Sequence, residues 1–203
     1  MVRVAGIVLA AGFSRRLGQP KQLVPICGKP ALQHVLDAAR KSRLSPLVLV
    51  VGSHLAPRLH ELDTAGFALV INERAAEGQS TSLQAGLAAT AEQVDAALFL
   101  LGDQPFVEAT VIDRLIECFE RTKGRIVRPR YVDGPGNPIL IAKPLFAELY
   151  QVTGDVGARP VIAAHADEIV DCAIPDRSRP LDLDTQADLE RAQRHCRERT
   201  GGT

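Results

Sequence analysis

Signals that would place a protein in several common classes are missing from this sequence of 203 residues. The formal charge sums to zero, which favours neither duplex DNA nor an anionic membrane surface as a partner. No apolar run approaches the roughly 18 residues that span a bilayer, and no basic segment followed by an apolar core indicates a secretory leader. We therefore expect a cytoplasmic protein without nucleic-acid or membrane partners.

Motifs for metal clusters and for nucleophilic catalysis are missing as well. None of the five histidines forms a pair with metal-ligand spacing, and no G-x-S-x-G segment indicates a serine hydrolase. The cysteines lack the two-residue spacing of zinc or redox sites, and we expect reduced thiols. The four are Cys27, Cys118, Cys172 and Cys196.

Strand-like and helix-like segments alternate through the first 120 residues. Continuous apolar runs at Val4–Ala10, Leu47–Val51 and Ala96–Leu101 predict strands that are buried on both faces. Amphipathic segments predict helices, of which Thr110–Arg121 is the clearest, with Thr110 as a candidate N-cap. The alternation predicts a Rossmann-like three-layer α/β/α fold with a mainly parallel sheet. Because no change in composition divides the chain, we expect one domain.

The loop after the first predicted strand carries a local excess of positive charge. Arg15, Arg16 and Lys21 place three cations within seven residues, and Gly12 lets the backbone approach a ligand. Ligands of open parallel sheets bind outside the carboxyl ends of the strands, so the loop suits a polyphosphate. It fits neither the Walker pattern nor the dinucleotide fingerprint, and a simple turn with surface arginines would have the same composition.

The segment LAAGFSRRLGQPKQL, residues 9–23, resembles the signature L-A-A-G-x-S-x-R-M-G-x-x-K-x-L of the MobA-like nucleotidyltransferases. It is most similar to their molybdenum-cofactor cytidylyltransferase branch, with Leu17 in place of Met. The resemblance implies a fold of the nucleotide-diphospho-sugar transferase type and a loop that wraps the triphosphate of an NTP. Arg16 and Lys21 match the catalytic cations, and Lys21 would stabilise charge at the α-phosphate. The other implied nucleotide contacts in this segment are Leu9, Ala10, Ala11, Gly12, Ser14 and Arg15.

Two acidic segments point to a metal site. Asp103 follows a predicted buried strand in the string GDQP, and Asp182 lies in LDLDT before the last predicted helix. Carboxylates suit Mg²⁺, which prefers oxygen ligands, although a turn at Asp103 and helix capping by Asp184 or Thr185 explain the same residues. Both strings resemble metal-binding segments of the family. The resemblance implies that Asp103 and Asp182 bind Mg²⁺, with Mn²⁺ as an alternative, and that Gly102 adjoins the nucleotide.

Three further segments resemble recognition segments of the family. GQSTSL contains Ser80 and Ser82, which the resemblance places in the nucleotide pocket, although serines at a helix start are also typical caps. GNP contains Asn137 where the family has His, and GDVGAR contains Asp155 and Arg159. The resemblance implies that these last three residues bind the acceptor, although Asp155 would serve equally as a cap of the following helix. Asn cannot titrate near neutral pH, which leaves the acceptor open.

The resemblance implies that an acceptor phosphate attacks the α-phosphate of an NTP and that pyrophosphate leaves, with catalysis by positioning and charge neutralisation. It divides the single domain 1–203 into a nucleotide-binding half at 1–120 and an acceptor-binding half at 121–198. Ala11 is the residue that the cytidylyl branch has at this position, which implies CTP as the nucleotide. The resemblance also implies molybdopterin as the leading acceptor and a molybdoenzyme as a partner. Guanylyl or sugar-phosphate transfer is an alternative. A catalytically weak cofactor-binding or chaperone protein of the same fold is another.

Overall fold

The computed structural model describes residues 2–14, 16–90, 92, 94–175 and 177–200. Strands and helices alternate over most of this length, as the hydrophobic pattern predicts. The strands are β1 (Val4–Ala10), β2 (Pro25–Ile26), β3 (Lys29–Pro30), β4 (Leu47–Gly52), β5 (Phe67–Asn72), β6 (Ala96–Leu101), β7 (Ile126–Tyr131), β8 (Gly134–Pro135), β9 (Ile139–Ala142) and β10 (Ile169–Ala173). The α-helices are α1 (Ala31–Lys41), α2 (Gln79–Ala88), α3 (Ala109–Thr122), α4 (Phe146–Leu149), α5 (Arg159–Ala164) and α6 (Gln186–Thr200).

The central sheet has the strand order β10-β7-β9-β6-β1-β4-β5, and β8 pairs with β7. Strands β1, β4, β5 and β6 are parallel, whereas β9 runs antiparallel to both of its neighbours. The prediction of a mainly parallel sheet is confirmed. Because the parallel strands point the same way, the loops that follow β1, β4, β5 and β6 lie at one edge of the sheet, where ligands of such folds bind.

Helices cover the sheet on both faces, and each face has its own core. Leu32 and Leu36 of α1 pack on one face together with Leu115 of α3. Leu83 and Leu87 of α2 pack on the other, with residues of α4 and α5. All five side chains are at most 2% exposed, and burying a leucine contributes about 1.5–3 kcal/mol. The sheet is therefore held between two helical layers, which fixes the loops at its carboxyl edge.

The start of α3 differs from the prediction. The helix begins at Ala109 with Glu108 at the N-cap position, so Thr110 is already inside the helix and is not its cap. Its hydroxyl lies instead 3.4 Å from a carboxylate oxygen of Glu108. In the described part of the chain, no helix combines the length and the apolar character needed to cross a membrane.

The expectation of four reduced cysteines is wrong for one pair. Cys27 and Cys196 form a disulfide, while Cys118 and Cys172 are free and buried. The bond is made because α6 packs on the β2–β3 hairpin, where Cys196 joins a small apolar cluster with Ile26. Disulfides are uncommon in reducing compartments, so a cytoplasmic location stays a prediction.

Candidate active site

A cavity of about 520 Å³ opens at the carboxyl edge of the parallel strands, between the loop after β1 and the segment before α2. We call it the first cavity. It combines backbone from a glycine-containing loop with charged side chains from distant parts of the sequence, which is what recognition of a charged ligand requires. Nine residues of the predicted site line it: Leu9, Ala11, Gly12, Ser14, Lys21, Ser82, Asp103, Asp155 and Arg159.

The loop after β1 is held in shape by Gln22, which the sequence analysis did not single out. Its amide Nε2 donates to the carbonyl oxygens of Ala10 and Gly12, at 3.2 and 2.9 Å. The Ser14 hydroxyl accepts from the backbone N–H of Lys21 at 3.0 Å and closes the loop. Gln22 is only 1% exposed, so these bonds are protected from water and fix the backbone around the cavity.

Lys21 joins two acidic segments that are far apart in the sequence. Its Nζ donates to Oδ2 of Asp103 at 2.5 Å and to Oδ1 of Asp184 at 2.8 Å. Arg16 donates to the other oxygen of Asp184 at 2.9 Å. Burial disfavours the Lys21 ammonium, but Asp103 and Asp184 outweigh that effect and raise the pKa of Lys21. The hydrogen bond from Lys21 lowers the pKa of Asp184. Both groups are therefore held in their charged forms.

Asp182 lies beside this ion cluster without contacting Lys21. Its Oδ1 accepts from Nε2 of Gln104 at 2.8 Å, and the backbone N–H of Leu183 donates to the carbonyl of Asp103 at 3.1 Å. Burial raises the pKa of Asp182, and the charges of Asp103 and Asp184 raise it further. Three carboxylates thus lie within electrostatic range of one another. Within the described ranges, no three His, Cys, Asp or Glu side chains have a geometry that holds a metal ion by themselves.

The segment that carries these aspartates is anchored by the start of α6. Thr185 precedes the helix, and its N–H and hydroxyl donate to Oδ2 of Asp188 at 2.8 and 2.7 Å. In return the N–H of Asp188 donates to the Thr185 hydroxyl at 3.2 Å. This reciprocal arrangement is a capping box. Thr185 is therefore the cap, which leaves Asp184 free to bind Lys21.

The loop at residues 154–159 caps α2 from a distance. Oδ1 of Asp155 accepts from the N–H of Gln79, and the carbonyl of Gly154 accepts from the Ser80 hydroxyl at 2.7 Å. Gly78 adopts φ +119°, and a Cβ there would lie 2.3 Å from Gly154 C, so only glycine permits this approach. The predicted caps are corrected here. Asp155 caps α2 rather than the helix that follows it, and Ser80 is a buried donor that does not line the first cavity.

Several other predicted residues lie beside the first cavity rather than in its wall. Ala10 is buried in the core, and the N–H of Gly102 donates to the carbonyl of Leu9 at 2.9 Å. The side chain of Arg16 is 69% exposed and bonds Asp184. Arg15 lies outside the described residues.

A second cavity, of about 540 Å³, adjoins the aspartates on the side of β7 and β9. Asp182 and Gln104 form part of its wall, together with Asn137. The three residues predicted to bind the acceptor are therefore separated: Asn137 lies here, whereas Asp155 and Arg159 line the first cavity. The distant parts of the chain that form the second cavity are not marked by any local pattern. They include Arg128 and Arg179, which the sequence analysis missed.

A family model described as the MobA-like NTP transferase domain matches residues 6–169. Among curated proteins, the chain is 31% identical over 135 residues to the bifunctional protein GlmU of Cupriavidus pinatubonensis, an alignment that covers 64% of this chain and 29% of that protein. The chain thus spans less than a third of the length of the curated relatives it matches.

Two solved structures extend the likeness over nearly the whole chain. Rv0371c from Mycobacterium tuberculosis H37Rv, also solved as a complex with manganese, is 30% identical with a TM-score of 0.85, over 95% of this chain and 98% of that one. The CMP:2-keto-3-deoxy-manno-octonic acid synthetase complexed with CTP is 14% identical with a TM-score of 0.77, over 97% and 99% of the two chains. At that identity the second likeness shows the fold alone.

Proposed function

We propose, because this chain belongs to the MobA-like NTP transferase family, that it transfers a nucleoside monophosphate from an NTP to a phosphorylated acceptor. An oxygen of the acceptor phosphate attacks the α-phosphorus, the bond from that phosphorus to the oxygen bridging to the β-phosphorus breaks, and pyrophosphate leaves. The observation that carries the proposal is the meeting of Lys21 with Asp103 and Asp184, which lie 82 and 163 residues away, in and beside one cavity.

The first cavity suits a triphosphate. Gly12 and Ser14 supply a loop whose backbone is fixed by Gln22, and Lys21 supplies a positive charge that is already held in place. Such donors stabilise charge that develops during phosphoryl transfer without reorganising. Lys21 lies between two carboxylates, so we expect phosphate oxygens of the nucleotide to compete with them for its ammonium.

The donor set also fits a divalent cation. Asp103 and Asp182 offer oxygen ligands. The three carboxylates of the cluster face two cations, Lys21 and Arg16, which leaves negative charge that a metal ion would compensate. Mg²⁺ is commonly bound by one or two carboxylates together with substrate phosphates, which agrees with a site of fewer than three protein ligands. Bound there, the ion supplies positive charge to the phosphate oxygens. We propose Mg²⁺, with Mn²⁺ as a substitute, since the related Rv0371c is solved with manganese.

We further propose CTP as the nucleotide, on the resemblance of the Leu9–Leu23 segment to the cytidylyl branch. The same resemblance favours molybdopterin as the acceptor, with a sugar phosphate as the alternative. Ala11 is buried in the wall of the first cavity, and we propose that its methyl group limits the room for a purine, which supports the choice of nucleotide. Ala11→Gly should therefore raise turnover with GTP relative to CTP. Ala76→Gly, which removes a methyl from the segment before α2 in the same cavity, is the matched control. An unchanged preference in Ala11→Gly would contradict this role.

The experiment that tests the proposed function is a pyrophosphate-release assay with Mg²⁺, each of the four NTPs and a panel of phosphorylated acceptors that includes molybdopterin and sugar phosphates. We expect release with CTP and one acceptor class. Binding of nucleotide and acceptor without any release would instead indicate a cofactor carrier that has the fold without the activity.

A further inference from the structure

The second cavity is joined to the candidate metal site through two shared residues. Gln104 follows Asp103 directly, its side chain donates to Asp182 at 2.8 Å, and both Gln104 and Asp182 line the cavity. A molecule bound in the second cavity would therefore reach the nucleotide site at the position of the aspartates. With the triphosphate in the first cavity, as proposed, an acceptor in the second cavity would approach it from the side of the aspartates.

Two arginines of the second cavity are each held in place by a carboxylate that accepts a hydrogen bond from Nε. Nε of Arg128 donates to Asp171 at 2.6 Å, across the pairing of β7 with β10. Nε of Arg179 donates to Asp133 at 3.2 Å, and the backbone N–H of Arg179 donates to the other oxygen of Asp133. Among the described residues, the hydrogen bonds of both guanidinium groups use Nε, so the terminal nitrogens Nη1 and Nη2 are available to a ligand.

This arrangement is typical of a prepared oxyanion site. A guanidinium group presents its terminal N–H groups as a fork that matches phosphate or carboxylate, and a carboxylate on Nε orients the fork. Arg191 adds a third cation to the wall. The two carboxylates of the wall are Asp133, which is already paired with Arg179, and Asp182, which faces the metal site.

We infer that Arg128 and Arg179 bind an oxyanion group of the acceptor other than the phosphate that attacks. The acceptor class is thus a small molecule with at least two anionic groups, the second being a phosphate or a carboxylate held in the cavity of about 540 Å³. Molybdopterin has a single phosphate and no carboxylate, so this inference favours the sugar-phosphate alternative over it. The role of these arginines depends on the proposed function, since only a nucleotidyltransferase needs an acceptor at this place.

The test begins with the native protein saturated with Mg²⁺ and a CTP analogue that has a methylene group between its α- and β-phosphorus atoms. Inorganic phosphate is then titrated in one arm and malonate in the other, and the Nε–H signals of the arginines are followed by ¹⁵N NMR. We expect saturable shifts at Arg128 and Arg179 in at least one arm, which identifies the oxyanion. Arg179→Gln should weaken that binding about tenfold or more.

Two variants keep the result interpretable. Arg177→Gln is the matched control, because Arg177 lies two residues away, pairs with Glu108 and does not line the second cavity; it should bind as tightly as the native protein. Arg179→Lys keeps the charge without the fork and should bind with intermediate affinity. Shifts of equal size at the distant Arg58, or an Arg179→Gln variant that melts normally and binds both anions like the native protein, would overturn the assignment. Failure of the proposed function would appear earlier, as absence of binding of the methylene analogues of all four NTPs.

Discussion

The two cavities on either side of the aspartates are built in different ways. The first lies at the ends of parallel strands, and its loop is shaped by residues within 12 positions of one another. The second is bounded by the antiparallel β9, by β7 and by the segment before α6, and its arginines are fixed by carboxylates 43 and 46 residues away. Bonds within one local segment therefore shape the phosphate loop of the first cavity, whereas long-range ion pairs fix the arginines of the second.

The largest effect is expected where the two cavities meet. Asp103→Asn removes a carboxylate that contacts Lys21 and is proposed to bind the metal, so turnover should fall by about 10²–10³, the size typical for loss of one preorganised electrostatic contact. The rate of pyrophosphate release under saturating NTP measures it. Asp167→Asn, a change of the same chemistry at an exposed position, should have no effect. Native turnover in Asp103→Asn would contradict the proposed role of Asp103 at the junction of the two cavities.

Replacing one glycine beside each cavity with alanine should lower the free energy of unfolding by different amounts. Gly78→Ala on the nucleotide side places a Cβ 2.3 Å from the backbone of Gly154, whereas Gly134→Ala near the second cavity has nothing within 4 Å. Both glycines have φ near +118°, so they share the cost of backbone strain, about 1–3 kcal/mol. Gly78→Ala should lower the free energy of unfolding further than Gly134→Ala does, and denaturant titration of both variants measures the difference. Equal losses would mean that the contact between α2 and the 154–159 loop is not tight.

The smallest effect concerns the helix that anchors the aspartates. Asp188→Ala removes the capping box of α6 and should lower the free energy of unfolding by about 1 kcal/mol at pH 7. The hydrogen bond from the Thr185 hydroxyl, together with Arg191 and two backbone N–H groups, lowers the pKa of Asp188 to about 2. Because the pKa is depressed in the folded state, this stability is present above about pH 4 and is lost as the pH falls towards 2. Denaturant titrations at pH 7 and pH 2 should show the difference between native and variant protein shrinking; a constant difference would show that the Asp188 charge contributes nothing.

Elements whose structure is determined by one short segment could be predicted from the sequence. Val4–Ala10 and Ala96–Leu101 are strands with the predicted bounds, because continuous apolar runs of that length fit only the buried middle of the sheet. The loop after β1, with its glycine and cations, could also be identified as a candidate binding loop, because it directly follows such a run.

Contacts between distant parts of the chain could not be predicted from the sequence. The Cys27–Cys196 bond joins residues 169 positions apart, and nothing near either cysteine indicates the other. Asp182 and Asp184 lie two residues apart in one segment, but Gln104 binds the first and Lys21 the second. Nothing in the sequence distinguishes Arg179 from other surface arginines, since its pairing with Asp133 and its place in the second cavity appear only in the structure.

The central claim is that Lys21, Asp103 and Asp182 meet around a metal-bound triphosphate. Titration of Mn²⁺ followed by electron paramagnetic resonance, with and without the methylene analogue of CTP, tests it most directly. Since the protein alone offers too few ligands, Mn²⁺ should bind weakly without nucleotide and at least about tenfold more tightly with it, and Asp103→Asn should abolish this coupling. The same Mn²⁺ affinity with and without nucleotide, or coupling that survives in Asp103→Asn, would contradict the account.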